Sequence, residues 1–242
     1  MNKILHRVYP RWLPEALFAP LALLACMAVA VTGTLVLFYS SLAMRKMMLW
    51  NIFLSGLPFL FACGLYWQAQ QGGKAKRLLA LPLWLLWIFF FPNAPYMLTD
   101  LIHLRWYEFY ISGVGFTDNP VAWFGLLHMV TGVAAGAAVG MLSLRLLHSV
   151  VRTRHGSLAG WGFVGGVCAL SGVGVWIGRC LRLNSWDVFT RPGRLAAYIM
   201  EALGRRALMT MVLFATLTAM AYLLVYVFTL QIAPQKANLK EG

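Results

Sequence analysis

The sequence has 242 residues, of which 61% are hydrophobic and only 11% are charged. A soluble domain averages about 45–50% apolar and about 25% charged residues, so this composition excludes a soluble protein. The net charge of +13 would suit a nucleic-acid partner on a soluble chain. Here the basic residues fall between apolar spans, where cytoplasmic retention and anionic headgroups explain them, so we predict membrane lipids and no nucleic acid as partners.

Apolar spans follow one another along the chain and are suited to a bilayer core of about 30 Å. We place six of them, at residues 17–38, 47–67, 78–91, 121–147, 161–181 and 207–230. The gaps hold no soluble domain, which predicts a single polytopic all-α membrane domain over residues 1–242. Residues 1–16 form a basic N-terminal segment, and residues 231–242 form a polar tail. The first apolar run is too long for a signal peptide, so it is interpreted as an uncleaved first helix.

Lysine and arginine in the short loops favour a cytoplasmic N-terminus, although the arginines between residues 182 and 206 then break the rule. One conclusion does not depend on orientation. The third-to-fourth and fifth-to-sixth connections have the same parity, so the polar runs at residues 91–103 and 179–191 must face the same side. Asn51, near the start of the second span, shares that side.

The first polar run contains a helix break, because proline disfavours helix in the residue before it and lacks an amide donor. Asn93 lies between two prolines and is predicted to cap a helix that restarts near Pro95. In that helix Asp100 and His103 are three residues apart and share a face. We picture a short helix in the interface or dipping toward the core, with aromatic residues of the membrane belt around it: Tyr96, Trp106, Tyr107 and Tyr110.

An aspartate and a histidine beside an apolar environment are costly unless paired, and they are often functional. One interpretation is structural, with Asp100 paired to Arg105, Arg179 or Arg182. The other is general acid–base or metal chemistry, to which an imidazole is suited. Two ligands do not make a metal site, so metal and cofactor stay open.

The second polar run starts with Arg179 and Arg182, which share a helix face and can bind a phosphate or carboxylate by forked hydrogen bonds. Snorkelling toward headgroups is the alternative. Asn184 can end the helix, Trp186 suits the interface, and Asp187 adds a second carboxylate on the side of Asp100. The candidate catalytic residues are Asp100, His103 and Asp187. The candidate ligand-binding residues are Asn93, Tyr96, Arg179, Arg182, Asn184 and Trp186.

The remaining motifs favour helix packing. Glycines recur every fourth residue in the fourth and fifth spans, which lets helix backbones approach closely in lipid: Gly132, Gly136 and Gly140, then Gly162 and Gly166, and Gly174 and Gly178. The cysteines have no paired spacing and are interpreted as small buried hydrophobes: Cys26, Cys63, Cys168 and Cys180. His128 is interpreted as a satisfied core histidine, and residues 195–206 as an amphipathic interfacial helix.

Several of these residues together are similar to one known family: Trp50-Asn51, Pro58, Phe91-Pro92-Asn93-Ala94-Pro95-Tyr96, Thr99-Asp100-Leu101, His103, Gly178-Arg179, Arg182 and Asn184-Ser185-Trp186-Asp187. The sequence resembles the bacterial membrane family known as domain of unknown function thirteen-sixty-one, over residues 42–230. The resemblance implies a polytopic bacterial inner-membrane protein and implies no activity.

Three functional hypotheses follow. The first is a binding or transport-like module with an outer-face pocket for an anionic or lipid headgroup, between Arg179, Arg182 and the break at Asn93. The second is a membrane-embedded enzyme that uses Asp100, His103 and Asp187 on a lipid-linked substrate. The third is a non-catalytic membrane subunit or assembly factor. A membrane-protein partner and a homo-oligomer both stay open.

Overall fold

The computed structural model of the protein describes residues 42–71, 80–181 and 190–232. Helix α1 is Leu42–Gln71, α2 is Ala80–Phe90 and α3 is Asn93–Tyr96, followed by a 3-10 helix at Met97–Trp106. A two-stranded antiparallel hairpin then pairs β1, Tyr110–Ile111, with β2, Gly115–Phe116. Helices α4, Pro120–His155, α5, Ser157–Cys180, α6, Pro192–Ala202, and α7, Arg205–Ile232, complete the described chain.

The fold is all-α, and five segments of the described chain are long and apolar enough to cross a membrane. They are Met47–Gln70, Ala80–Trp106, Pro120–His155, Ser157–Cys180 and Arg205–Leu230. Five of the six predicted spans are thereby confirmed, and the first, at residues 17–38, lies outside the described residues. The predicted amphipathic helix is also confirmed, as α6 at Pro192–Ala202, whose Ile199 and Ala202 pack against the cluster of Trp176, Ala207 and Met211.

Helix α4 is the centre of the bundle, since 72% of its most apolar window is buried inside the protein, against 11% for α7. It packs on α1, α5, α7 and the 3-10 helix. A buried aromatic group beside it is organised by Trp87, whose ring lies 4.8 Å from that of Phe91 and 5.8 Å from that of Phe163. The Trp87 indole donates to Ser143 Oγ at 3.1 Å, so the buried indole N–H is satisfied.

The predicted glycine faces explain how the proline-rich segment enters this bundle. A methyl group at Gly140 of α4 would overlap the Ala94 side chain, and one at Gly136 would overlap Met97. On α5, a methyl group at Gly174 would lie 2.8 Å from Pro92 Cβ. The glycines of α4 and α5 therefore accept the break between them, as small residues do where helices approach closely in lipid.

The same interpretation is wrong for Gly162 and Gly166, because nothing lies within 4 Å of a methyl group placed at either position. The cysteine prediction holds for Cys168, which is buried, but it is wrong for Cys63 and Cys180, which are exposed. Cys26 lies outside the described residues. In lipid no hydrophobic force drives small apolar residues inward, so spacing alone does not place them at a helix interface.

The break after α2 differs from the predicted cap. The chain keeps helical dihedrals through Pro92, with φ −59° and ψ −18°, so the extended conformation of an N-cap never forms. The Ala94 amide instead bonds the Phe91 carbonyl at 3.0 Å, a tightened turn that leaves the Phe90 carbonyl free. The side-chain amide of Asn93 donates from Nδ2 to the Phe90 carbonyl at 2.8 Å. Asn93 therefore caps the end of α2 and does not cap the start of the next helix.

Candidate functional site: a buried ion pair at one end of the bundle

Asp100 is the centre of the site, and its side chain is only 1% exposed. The 3-10 helix carries it between α1 and α5, where both carboxylate oxygens accept hydrogen bonds. Asn51 Nδ2 of α1 donates to Oδ2 at 2.7 Å, and Arg179 Nη2 of α5 donates to Oδ1. These contacts bring Asn51, Asp100 of the first polar run and Arg179 of the second run to the same end of the helix bundle, as predicted. The structural pairing foreseen for Asp100 is made with Arg179.

Arg179 is held by two further contacts besides the ion pair. Its Nε donates to Thr99 Oγ1 at 2.7 Å, and the Thr99 hydroxyl donates to the Tyr96 carbonyl at 2.6 Å. Its guanidinium carbon lies 4.1 Å from the centroid of the Tyr96 ring, a cation–π arrangement. Arg179 also occupies the last turn of α5, where the helix dipole favours a cation. The guanidinium is therefore fixed in position and orientation.

This group of residues around Asp100, here the Asp100 centre, is partly exposed at the protein surface. The Arg179 side chain is 22% exposed, and within the described residues its Nη1 has no hydrogen-bond acceptor. His103 Nε2 lies 3.9 Å from Asp100 Oδ1, and its side chain is 23% exposed. The shared face predicted for Asp100 and His103 is confirmed, because residues three apart eclipse each other in a 3-10 helix. Arg179 and His103 therefore form the rim of the centre.

The other candidate residues divide into two groups. Tyr96 belongs to the centre through its ring, whereas Asn93 is occupied by the Phe90 carbonyl. Arg182, Asn184, Trp186 and Asp187 lie outside the described residues. Over residues 42–71, 80–181 and 190–232, no three histidine, cysteine, aspartate or glutamate side chains are grouped to hold a metal ion.

Two features were missed or misjudged. His128 is buried, as predicted, but its Nε2 has no hydrogen-bond partner within the described chain, so the prediction of a satisfied histidine is wrong. A second polar cluster surrounds Arg145 and His148 near the far end of α4. The recurrence of basic residues at 145, 148 and 152, on one helix face, was the signal that could have revealed it.

Comparison with known families gives a match to the family described as protein of unknown function DUF1361, over residues 50–221. The chain belongs to this family. The DUF1361 match contains Asn51, Tyr96, Asp100, His103 and Arg179, so the whole Asp100 centre lies within the family region. The resemblance seen in the sequence is thereby confirmed. Neither the curated proteins nor the solved structures gave a match.

Proposed function

We propose that this DUF1361 protein is a membrane-embedded binding module for an anionic headgroup, and that the Asp100 centre is its site. The observation that carries the proposal is that the Arg179 guanidinium is fixed in position but still has a hydrogen-bond donor to offer. Asp100, Thr99 and Tyr96 fix its guanidinium, while its Nη1 is left without an acceptor in the described chain and the side chain stays partly exposed. A guanidinium held in this way loses little freedom on meeting an oxyanion, and its planar fork suits phosphate or carboxylate.

His103 completes the rim on the side of the 3-10 helix. Its imidazole can donate a hydrogen bond to the same anion. The helix interruption at residues 91–92 leads into the 3-10 helix that carries Asp100 and His103 to Arg179 at the end of α5. Interrupted helices lining a polar cavity are a recurrent way of building substrate sites in membrane proteins.

The enzyme hypothesis is less favoured by this geometry. The Asp100 side chain is only 1% exposed and both its oxygens accept hydrogen bonds, from Asn51 and Arg179, so the carboxylate is not accessible to a substrate. A second candidate is a non-catalytic subunit or assembly factor, favoured by the near-complete burial of Asp100 and by its ties to α1 and α5. In that case the ion pair fixes helix positions and binds nothing.

We also propose that the protein lies in a bacterial inner membrane with a cytoplasmic N-terminus, which makes the Asp100 face the outer one. The basic residues of the N-terminal segment and of residues 74–77 support this orientation. Six spans return the C-terminus to the cytoplasm, so an alkaline phosphatase fused there would be inactive. An active fusion would contradict the orientation.

Replacement of Arg179 by lysine tests the binding proposal. Lysine keeps the charge but loses the fork and the stacking on Tyr96, so we expect affinity for phosphatidylglycerol to fall about tenfold, or about 1.4 kcal/mol. Binding is measured by native mass spectrometry of the detergent-solubilised protein. His103→Gln, which removes a rim group outside the buried pair, should also weaken binding.

Arg194→Lys is the matched control, because Arg194 is exposed on α6, at the same membrane face, and makes none of these contacts. It should leave the affinity unchanged. If Arg179→Lys and His103→Gln bind phosphatidylglycerol as tightly as Arg194→Lys, the binding proposal is wrong. If Arg179→Lys and His103→Gln are also less stable than Arg194→Lys, the assembly role is supported instead.

A further inference from the structure

The second polar cluster, here the Arg145 cluster, lies at the other end of the bundle from the Asp100 centre. Its members come from the last turns of the α4 and α7 spans and from the first turns of α5: Arg145, His148, Arg152, Trp161, Tyr222, Tyr226 and Thr229. About 27 Å of α5 separates Trp161 from Arg179. Tryptophan and tyrosine at the ends of apolar spans mark the headgroup region of a membrane.

Arg145 is the unusual member, since it carries a charge although the residue is only 7% exposed. Its Nε donates to Thr229 Oγ1 at 3.1 Å, and its guanidinium carbon lies 4.9 Å from the Tyr226 ring centroid. Among the described residues, no carboxylate is within salt-bridge distance of it. A hydroxyl and an aromatic face do not neutralise a buried cation, which is strongly unfavourable when unpaired.

Tyr226 joins a second guanidinium to the first. Arg152 Nη1 donates to the Tyr226 hydroxyl at 3.3 Å, and Arg152 is exposed, so the cluster opens to the surface on that side. Two arginines that contact one tyrosine can offer several N–H donors to a single oxyanion. This pattern, a basic pocket between membrane helices, is how headgroup phosphates are bound.

The rest of the cluster keeps Tyr226 in place. The His148 ring stacks on Tyr226 with centroids 5.7 Å apart, and its Nδ1 lies 2.5 Å from the Tyr222 hydroxyl. Trp161 lies edge-on to both the histidine and Tyr226, at 4.8 and 5.0 Å. His148 and Tyr222 are buried, and their ring contacts limit the orientations of the partly buried Tyr226, whose phenol contacts both arginines.

We propose that Arg145 and Arg152 bind the phosphate group of an anionic membrane lipid. The source is a lipid rather than a free ion because the cluster lies at headgroup level. In addition, α7 exposes Leu223 and Leu230, which lie three residues before and four residues after Tyr226 on the same side of the helix, where acyl chains can lie. The site is independent of the Asp100 centre, which lies at the opposite end of the bundle.

Native mass spectrometry with phosphatidylglycerol tests the proposal. We expect Arg152→Gln, at an exposed position, to lower the affinity of one bound lipid about tenfold. We expect Arg145→Gln to abolish binding of that lipid. Tyr226→Phe keeps the rings packed but removes the hydroxyl that orients Arg152, so it should weaken binding without unfolding the protein. Arg179→Lys should leave this lipid bound.

Arg105→Gln is the matched control, because the Arg105 guanidinium also lies over an aromatic ring, 4.7 Å from the Trp106 centroid, but on an exposed residue. It should not change binding. The proposal is overturned if Arg152→Gln and Tyr226→Phe retain the lipid as the control does. The assignment of the phosphate to a lipid is wrong if inorganic phosphate alone protects the wild-type protein against thermal unfolding as well as phosphatidylglycerol does.

Discussion

Replacement of Asp100 by alanine lowers the free energy of unfolding by about 3 kcal/mol, because it leaves the Arg179 guanidinium unpaired at a largely buried position. The Asn51 amide loses its acceptor in the same step. The measurement is reversible unfolding in mixed detergent micelles. Asp118→Ala is the matched control, because Asp118 is exposed in the loop before α4, and we expect a change within about 0.5 kcal/mol.

The double variant Asp100→Ala, Arg179→Ala separates an ion pair from a general packing defect. Removal of both charges leaves no uncompensated cation, so its destabilisation should be smaller than the sum of the two single changes. Equal costs for Asp100→Ala and Asp118→Ala, or strictly additive costs in the double variant, would show that the buried pair does not stabilise the bundle.

Addition of one methyl group at Gly140 should destabilise the protein by about 1–3 kcal/mol, because that methyl overlaps the Ala94 side chain in a closely packed contact between α4 and α3. The control is Gly162→Ala, whose new methyl group meets nothing within 4 Å. We expect no loss there, and a small gain from the better helix propensity of alanine. Unfolding in mixed micelles measures both.

Exchange of the two residues sharpens this test. Ala94→Gly combined with Gly140→Ala moves the methyl group from one side of the contact to the other, so the double variant should recover most of the stability that Gly140→Ala loses. The contact is not the cause of the loss if the double variant is as unstable as Gly140→Ala, or if Gly162→Ala costs as much.

The structural role and the proposed binding role both depend on the ion pair between Asp100 and Arg179. Asp100 stabilises the bundle because it is buried, and it orients Arg179 because it is paired. Loss of lipid affinity in Arg179→Lys with stability near that of the wild type supports binding, whereas loss of stability alone supports an assembly role. The Arg145 cluster is judged separately, since its variants leave the Asp100 centre intact.

The membrane class, the five described spans and the location of Asn51, Asp100 and Arg179 at one end of the bundle could all be predicted from the sequence. Apolar length sets whether a segment crosses a bilayer, and the parity of crossings sets which loops meet, so neither property needs coordinates. The glycines of α4 were assigned correctly for a related reason. A repeat of four residues stays on one helix face wherever that helix lies.

Only the tertiary structure decided which partners these residues take. Asn93 meets the Phe90 carbonyl rather than capping a new helix, because the turn is set by proline geometry and by the glycines of α4 and α5 that surround it. Gly162 and Gly166 have the same spacing as the packed glycines, yet they face open space. Arg145 falls within a predicted apolar span, and only the packing of α7 beside it shows that no carboxylate of the described residues pairs with it. Hydropathy and parity assign residues to a membrane and to a side of it, but contacts between helices depend on rotation and register, which neither property contains.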